Sequence, residues 1–402
     1  MEDSNIVRRL LMTYRNELGL ILAIVVVLLF TAAVNDAYRT RTEYNAKEIL
    51  RQTSLLGVFA LGSAVVIIAG GIDLSSGAVI AFSGATCALV MQVLAPATER
   101  GGPDTSDLAL PILAAGIAAA LAVGILVGTL HAWLITAIGL PPFVATLASL
   151  VGLRSLARVL NPVVTGWLGD QKMKVNIDDP DFIWLGSDWR VPLVIFLMTG
   201  LAIWVLLGYT VVGRHWYAMG GNEQAARLSG IRTDRLKWLA YVLSAVTASM
   251  AGVLYTAEVS AADPQTQGMG YELKAIAAAV VGGCSLQGGV GAISGVMLGV
   301  LFLRVVIDSV AKVVGSGSDD YEGMIVGFLV VLAVAFNALR AHGTARRQFF
   351  PDALGWVTIP ILAALLGVVV AATSGRTAGI TAVVVALAVL FSCKIWEDRR
   401  FP

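Results

Sequence analysis

Residues 108–138, LALPILAAGIAAALAVGILVGTLHAWLITAI, carry no charged side chain. They run beyond the ~20 apolar residues a helix needs to cross a hydrocarbon core of ~30 Å. Gly116, Gly124 and Gly128 fall at spacings that let helices approach closely, and the run lacks the two-residue alternation of a barrel strand. The reading is a transmembrane helix. Eleven further apolar runs, bounded by polar or Gly/Pro clusters, occupy 18–34, 55–69, 77–95, 143–160, 191–209, 237–257, 272–283, 292–314, 323–339, 354–373 and 378–393. The chain is therefore expected to be an all-α polytopic membrane protein with about twelve crossings, its first apolar run retained as a helix because it is longer than a signal-peptide core.

Composition agrees with this. Of 402 residues 57% are hydrophobic and 14% charged, against roughly 45–50% and about 25% in soluble domains, and mean hydropathy is +0.80. A soluble globular protein is excluded. Lys+Arg 28 against Asp+Glu 27 leaves a net charge of +1, so no global field selects nucleic acid. Cys87, Cys284 and Cys393 lie in apolar stretches without metal-ligand spacing and read as small hydrophobes.

The scarce charges give an orientation. With the N-terminus (Arg8, Arg9, Arg15) cytoplasmic, the same parity places 214–237, 340–350 and the tail (Lys394, Arg399, Arg400) on the cytoplasmic side, and the acidic loops 96–107 and 161–190 outside. One loop dissents: 35–54 carries Arg39, Arg41, Lys47 and Arg51, partly balanced by Asp36, Glu43 and Glu48.

Signals of enzymatic chemistry are sparse. No G-x4-G-K-[ST] occurs, so the chain has no P-loop for ATP, and Gly289-Val-Gly291-Ala-Ile-Ser294-Gly295 lacks the βαβ unit a dinucleotide loop requires. Asp178-Asp179-Pro180-Asp181 reads as a solvated turn rather than a metal-binding cluster, and His131, His215 and His342 as helix-end or loop residues.

Three local patterns are more telling. Ala64–Gly77 (AVVIIAGGIDLSSG) overlays Ile276–Gly289 (IAAAVVGGCSLQGG), both with GG-x2-L-x2-G after an apolar run. Paired Gly-interrupted segments of this kind mark discontinuous helices at a transport site, and six intervening crossings make the two copies parallel. Asp73 reads as a cap for a helix beginning near Ser75 and also as a pathway or gate residue. In the longest cytoplasmic loop, Gly220-Gly221-Asn222-Glu223-Gln224-Ala225-Ala226-Arg227-Leu228-Ser229-Gly230-Ile231 encodes a short helix. Asn222 is its N-cap, Glu223 and Arg227 pair four apart, and Gly230 is its C-cap. So small a helix persists only when docked on something. Within the spans, Arg304 and Asp308 share a helical face and are expected to neutralise each other, while Arg154 and Arg158 are expected to snorkel to the outer interface.

Together with Pro142-Phe143-Val144-Ala145-Thr146-Leu147 and AAVVGGCSLQGGVG (278–291), the motifs GGIDLSSG (70–77) and GGNEQAARLSGI (220–231) resemble the permease subunit of ABC-type monosaccharide importers, the ribose, xylose and galactose group. The resemblance covers roughly 55–339. It implies a homodimer in the bacterial inner membrane, working with cytoplasmic ABC ATPase subunits that bind ATP and Mg, and with a periplasmic sugar-binding protein. It assigns ATPase coupling to Gly221, Asn222, Glu223, Ala225, Ala226, Arg227, Ser229 and Gly230. Translocation or gating falls to Gly70, Gly71, Asp73, Leu74, Ser75, Gly77, Phe143, Thr146, Gly282, Gly283, Ser285, Gly288 and Gly289. No cofactor is expected on this chain itself, nor any catalysis. Cys284 stands where relatives commonly carry Thr. The resemblance divides the chain into a cytoplasmic tail (1–17), a permease core (18–339), a basic linker (340–353) and an additional hairpin (354–396). Two rival readings of the residues remain: an ion-coupled secondary transporter of a small polar solute, and a membrane-embedded enzyme built on Asp178, Asp179 and Asp181.

Overall fold

The computed structural model describes residues 15–97, 102–314, 322–329, 331–332, 335 and 352–400. They fall into two units that divide between Asn337 and Ala338, each described by itself. In the first unit the order is α1 (Arg15–Val34), α2 (Asp36–Thr40), α3 (Thr42–Ile68), α4 (Ser76–Leu94), α5 (Leu110–Thr136), α6 (Pro142–Trp167), β1 (Val175–Asn176), α7 (Pro180–Ser187), α8 (Arg190–Tyr209), α9 (Val211–Gly221), α10 (Glu223–Leu228), α11 (Thr233–Val259), β2 (Ala261–Ala262), α12 (Tyr271–Val281) and α13 (Ile293–Val314). The second unit contributes α14 (Asp352–Ser374) and α15 (Arg376–Arg400). Among the described residues the only named strands are β1 and β2, which pair antiparallel with Val175 opposite Ala262. The molecule is all-α, as its hydropathy dictates.

Nine of the described helices are long and apolar enough to cross a membrane: α1, α3, α4, α5, α6, α8, α11, α13 and α15. The other three apolar runs are α12, α14 and 323–339, the last only partly within the described residues. With 11 residues, α12 spans only about 16 Å at 1.5 Å per residue, roughly half of a hydrocarbon core.

α11 and α3 form the axis of the first unit. α11 packs against α3, α4 and α5, and α3 also packs against α8, α12 and α13. Small residues permit the close approach. A Cβ on Gly124 would meet Ala245 O at 2.8 Å, and one on Gly128 would meet Tyr241 O at 2.8 Å, so these glycines lie at α5 contacts with α11, while Gly116, whose Cβ would meet Cys87 O at 3.0 Å, lies against α4. Large apolar side chains such as Leu29, Leu126, Val151 and Met198 point outward, the arrangement of a chain whose solvent is lipid.

α11 also separates two ends of the bundle. Its first turn adjoins α10, while its last turn packs on α7, where a Cβ on Gly186 would collide with Glu258 N at 2.2 Å. At 27 residues the helix holds these ends about 40 Å apart. The start of α1 lies at the α10 end, since Ser294 Oγ donates to Glu17 Oε1 at 3.1 Å and Glu17 lies beside the α13 start.

Three sequence expectations change. The dissenting loop 35–54 is mostly helix: α3 begins at Thr42 rather than near 55, and Lys47 and Arg51 find carboxylate partners. Lys47 pairs with Glu43 (2.5 Å), and Arg51 with Glu48 (2.7 Å) and Glu258 (3.4 Å). Asp178-Asp179-Pro180-Asp181 is not wholly a solvated turn. Asp179 is buried, its Oδ1 accepting from Phe182 N as the N-cap of α7 and its Oδ2 from Leu108 N, both at 2.8 Å. Asp179→Ala should therefore cost about 2 kcal/mol, from a lost cap and an orphaned N–H. A thermal melt of the purified protein checks this, and an unchanged midpoint would refute the cap. His131, expected at a helix end or in a loop, is fully buried within α5, edge-on to Tyr241 with ring centroids 6.2 Å apart, because α11 packs directly over it.

The second unit is a helical hairpin. Gly367 and Gly379 let α14 and α15 touch, a Cβ on Gly367 meeting Val383 Cγ2 at 2.0 Å, and the rings of Trp356 and Phe391 lie 5.3 Å apart.

Candidate functional site: a glycine junction beneath a capped helix

The helix encoded by 220–231 is present as α10. Asn222 Oδ1 accepts from Ala225 N at 2.9 Å, and Gly230, at φ +85°, closes the other end. There Gly230 N donates to Arg227 O and Ile231 N to Ala226 O, the paired bonds of a Schellman cap. The Glu223–Arg227 pair forms at 3.3 Å. Arg227 also reaches Asp234 (3.2 Å) and Thr233 Oγ1 (3.0 Å), and Glu223 accepts from Lys237 at 2.6 Å. These bonds fasten α10 to the first turn of α11. Ala226 faces inward, while Gln224, Ala225, Ser229 and Leu228, the last 90% exposed, face away from the bundle.

α10 follows α9 directly, the extended Asn222 being the one residue between them, and α9 is anchored by Trp216 Nε1 to Leu236 O (2.9 Å) and by Tyr217 OH to Gly291 O (2.9 Å). Burial, with a smaller contribution from Cys284, pushes the Tyr217 phenol above its ordinary value, so it remains a donor. α9 ends on Gly220 and Gly221, and here the structure joins motifs that the sequence presents separately. A Cβ on Gly220 would lie 1.9 Å from Ile68 O and 2.5 Å from Gly289 N; one on Gly288 would lie 2.8 Å from Gly70 Cα; one on Gly289 would lie 2.7 Å from Gly221 Cα. Gly289 N donates to Ile68 O at 2.9 Å. Gly70 and the pairs 220–221 and 288–289 thus meet backbone to backbone, while Gly71 faces the Tyr241 hydroxyl.

The helices of the two overlaid segments close by the same device, α3 at this junction and α12 a short loop before Gly288 and Gly289. α3 closes with Gly70 N on Ile67 O and Gly71 N on Val66 O, and α12 with Gly283 N on Val280 O and Cys284 N on Ala279 O. Gly70 (φ +85°) and Gly283 (φ +97°) take the left-handed cap position, one register apart in the overlay. Gly282 lies against the start of α13, where a Cβ would meet Gly295 O at 2.5 Å. Ser285 closes the following loop, its N–H on Val290 O and its carbonyl accepting from Gly288 N.

A cavity of about 170 Å³ beside the junction is lined by Gly70, Gly71, Pro142, Glu223, Lys237 and Tyr241, among others. The 142–147 motif thus reaches the same place, and Thr146 Oγ1 donates to Pro142 O (3.0 Å) and Ile72 O (3.4 Å). Phe143 does not join it and is half exposed on α6. Leu74 is half-buried. Asp73, 2% exposed, accepts from Ser75 N (2.8 Å), Ser75 Oγ (2.6 Å) and Ser244 Oγ (2.7 Å). It ties the entry of α4, whose Gly77 follows two residues beyond Ser75, to the middle of α11.

Two intramembrane expectations are corrected. Arg304 and Asp308 form no ion pair among the described residues; Arg304 Nε and Asp308 Oδ2 are each buried without a hydrogen-bond partner. Arg154 does not snorkel, because α6 continues to Trp167 and leaves it at mid-helix. Asn161 and Thr165 sustain that extension, donating to Met173 O (2.8 Å) and Asn161 O (2.7 Å). A guanidinium at that depth costs at least ~2.5–3.5 kcal/mol, and Arg154 meets the cost by donating to Pro264 O (3.2 Å) and Gln267 O (2.9 Å). Arg154, Tyr241 and Ser244 carry no local motif, so sequence reading passed over their roles; the arginines inside the 143–160 apolar run, Arg154 and Arg158, are the one signal that was available.

Residues 45–334 match the family model described as the permease component of the branched-chain amino acid transport system. The ribose import permease protein of Escherichia coli strain K12 is 36% identical over 293 residues, covering 72% of this chain and 83% of that protein. The ribose import permease protein of Haemophilus influenzae is 32% identical over 86% of this chain and 98% of its own. The D-allose transport system permease protein of Escherichia coli K12 is 33% identical over 74% and 84%. No solved structure matches. With a helical bundle of membrane-spanning length, a capped helix at one end and a family model covering most of the chain, this protein belongs to the permease components of the branched-chain amino acid transport type, among the permeases of ABC-type monosaccharide importers.

Proposed function

We propose that this chain is the permease subunit through which an ATP-driven importer moves a monosaccharide across the bacterial inner membrane. In this reading two copies form the pathway, and separate ABC ATPase subunits, holding ATP and Mg, dock on α10 from the cytoplasm. A periplasmic binding protein delivers the sugar to the opposite end. Both termini are cytoplasmic, and the second unit is an addition to the permease core. Ribose and allose, named for relatives, set the first substrates to try.

The observation that carries the reading is the joining of α10 to both broken segments. A push on its exposed face, Gln224 to Ser229, passes through Asn222 to Gly220 and Gly221, and from there by backbone contact to Ile68–Gly70 and Gly288–Gly289. Backbone contacts of this closeness do not absorb displacement by side-chain rearrangement, so movement of α10 moves the end of α3 and the loop that follows α12.

Replacing both Glu223 and Arg227 by alanine should reduce substrate-stimulated ATP hydrolysis to its unstimulated rate in vesicles reconstituted with the whole transporter. The dimer should stay assembled, since exposed ion pairs contribute only ~0.2–1 kcal/mol each to stability. Undiminished stimulation would sink the coupling assignment, and gradient-driven uptake by the permease alone would favour the secondary-carrier alternative.

A further inference from the structure

Between α11 and α12 the chain leaves the strand pair at the end opposite α10 and re-enters the bundle as the non-helical connection 263–270. Its tip meets the entry of α4. A Cβ on Gly77 would lie 2.2 Å from Gly268 O and 2.3 Å from Glu272 Oε2, and one on Gly268 would lie 2.3 Å from Gly77 O. The segment before α4 approaches from the α10 end and passes Ser244, midway along α11. The two interrupted crossings therefore touch at mid-depth, and Arg154, midway along α6, clamps the connection there through Pro264 O and Gln267 O.

Along this seam three polar atoms are buried with no hydrogen-bond partner: Glu272 Oε2 at the Gly77–Gly268 contact, Ser76 Oγ on the residue before Gly77, and Gln267 Oε1, whose amide lies about two turns further along α4 against Gly84. Glu272 is 8% exposed. The Gln267 amide nitrogen is satisfied by Thr256 Oγ1 (3.0 Å), so its oxygen alone is left over. Arg154 and Glu272 attract one another across the contact, yet no ion pair forms between them among the described residues. Nearby Asp73 has three donors. The seam thus holds surplus acceptors from a carboxylate and a carboxamide, together with a hydroxyl that donates or accepts. Buried groups of this kind are costly unless a partner supplies the missing bonds. The complementary ligand is a neutral polyol, whose hydroxyls donate to the acceptors and accept from Ser76.

We propose that Ser76, Gln267 and Glu272 are the mid-membrane hydroxyl-binding site for the transported sugar, closed in this conformation by the Gly77–Gly268 contact, with Arg154 as the positioning residue that holds 264–267. This rests on the import reading above. Separation of the two broken segments, driven from the glycine junction, exposes the three groups to the passing sugar.

The test uses the full chain in native membranes, with exposed Cys393 changed to serine and buried Cys87 and Cys284 retained. Ser76→Cys, nearly isosteric, and Gln267→Cys are treated with a small water-soluble methanethiosulfonate in the presence or absence of D-ribose, D-allose or D-galactose. Both thiols should react, and at least one of the sugars should slow the reaction several-fold. In reconstituted uptake with the same three sugars, Glu272→Gln should raise the half-saturating concentration about tenfold, the effect of one charged hydrogen bond, with an unchanged melting temperature. Arg154→Lys should weaken sugar protection at residue 267 more than at 76. Inert thiols, or thiols that no sugar in the panel protects, would overturn the site. Protection that persists while uptake proves independent of ATP would keep the site and overturn the ATP-driven reading instead.

Discussion

Gly220→Ala should destabilise the protein by about 3–5 kcal/mol, while Gly221→Ala, one residue along the same helix, should leave stability within about 1 kcal/mol of the parent. The added methyl at 220 would lie 1.9 Å from Ile68 O and 2.5 Å from Gly289 N, whereas at 221 nothing lies within 4 Å. Both obstructing atoms are backbone, and they are the two ends of the hydrogen bond from Gly289 to Ile68. No rotamer change relieves the clash. The methyl is accommodated only by parting the junction, which leaves a buried N–H and C=O unpaired and strains three chain segments together. Measured against a typical total of 5–15 kcal/mol, this is a large fraction. A thermal melt of the detergent-solubilised protein, read beside the amount of folded permease in membranes, should show a pronounced loss for Gly220→Ala alone. Equal midpoints for the two variants would show that the junction is not tightly packed in the working protein.

Asp73→Ala should also cost about 3–5 kcal/mol, because three donors lose their acceptor at once in a buried site. Ser75 N–H and the hydroxyls of Ser75 and Ser244 all converge on this carboxylate. Asp73→Asn keeps the shape and one carbonyl oxygen for the Ser75 pair, while the Ser244 hydroxyl turns to accept from the new amide. The asparagine variant should therefore fold with a melting temperature close to the parent and isolate what the charge does in transport. If alanine and asparagine variants melt together, the tie between α4 and α11 contributes little to the fold.

Legibility differed with the range of the interaction. The capped helix α10 could be read residue by residue, since Asn222, the Glu223–Arg227 pair and Gly230 act within one or two turns of chain. The lengths of α3 and α6 could not. Hydropathy stopped the crossings near 55 and 160, where Arg51 and Asn161 look like loop residues, yet Arg51 is matched by Glu258 and Asn161 by Met173. A polar residue extends a buried helix when tertiary structure supplies its partner, and a hydropathy window does not register that partner. The misplacement of Arg154 follows from the same cause: a helix judged to end near 160 puts residue 154 at an interface, whereas one ending at 167 puts it at the centre.

By itself the sequence determined that this chain lives in a bilayer as helices, which of its loops are basic, where two helices break on glycine pairs, and that a small polar helix stands outside the membrane. Each depends on the desolvation of a contiguous segment or on bonds between near neighbours, so each is written locally. Tertiary structure alone decided that glycines at 70, 220 and 288 meet, that Asp73 finds Ser244, and that Arg154 and Glu272 face one crossing of broken segments. Those partners lie 68 to more than 150 positions from one another or are set by which faces pack, and no local rule connects them. Desolvation drove every one of these groups to find something, and the packing of α3, α4, α6 and α11 settled what was there to be found.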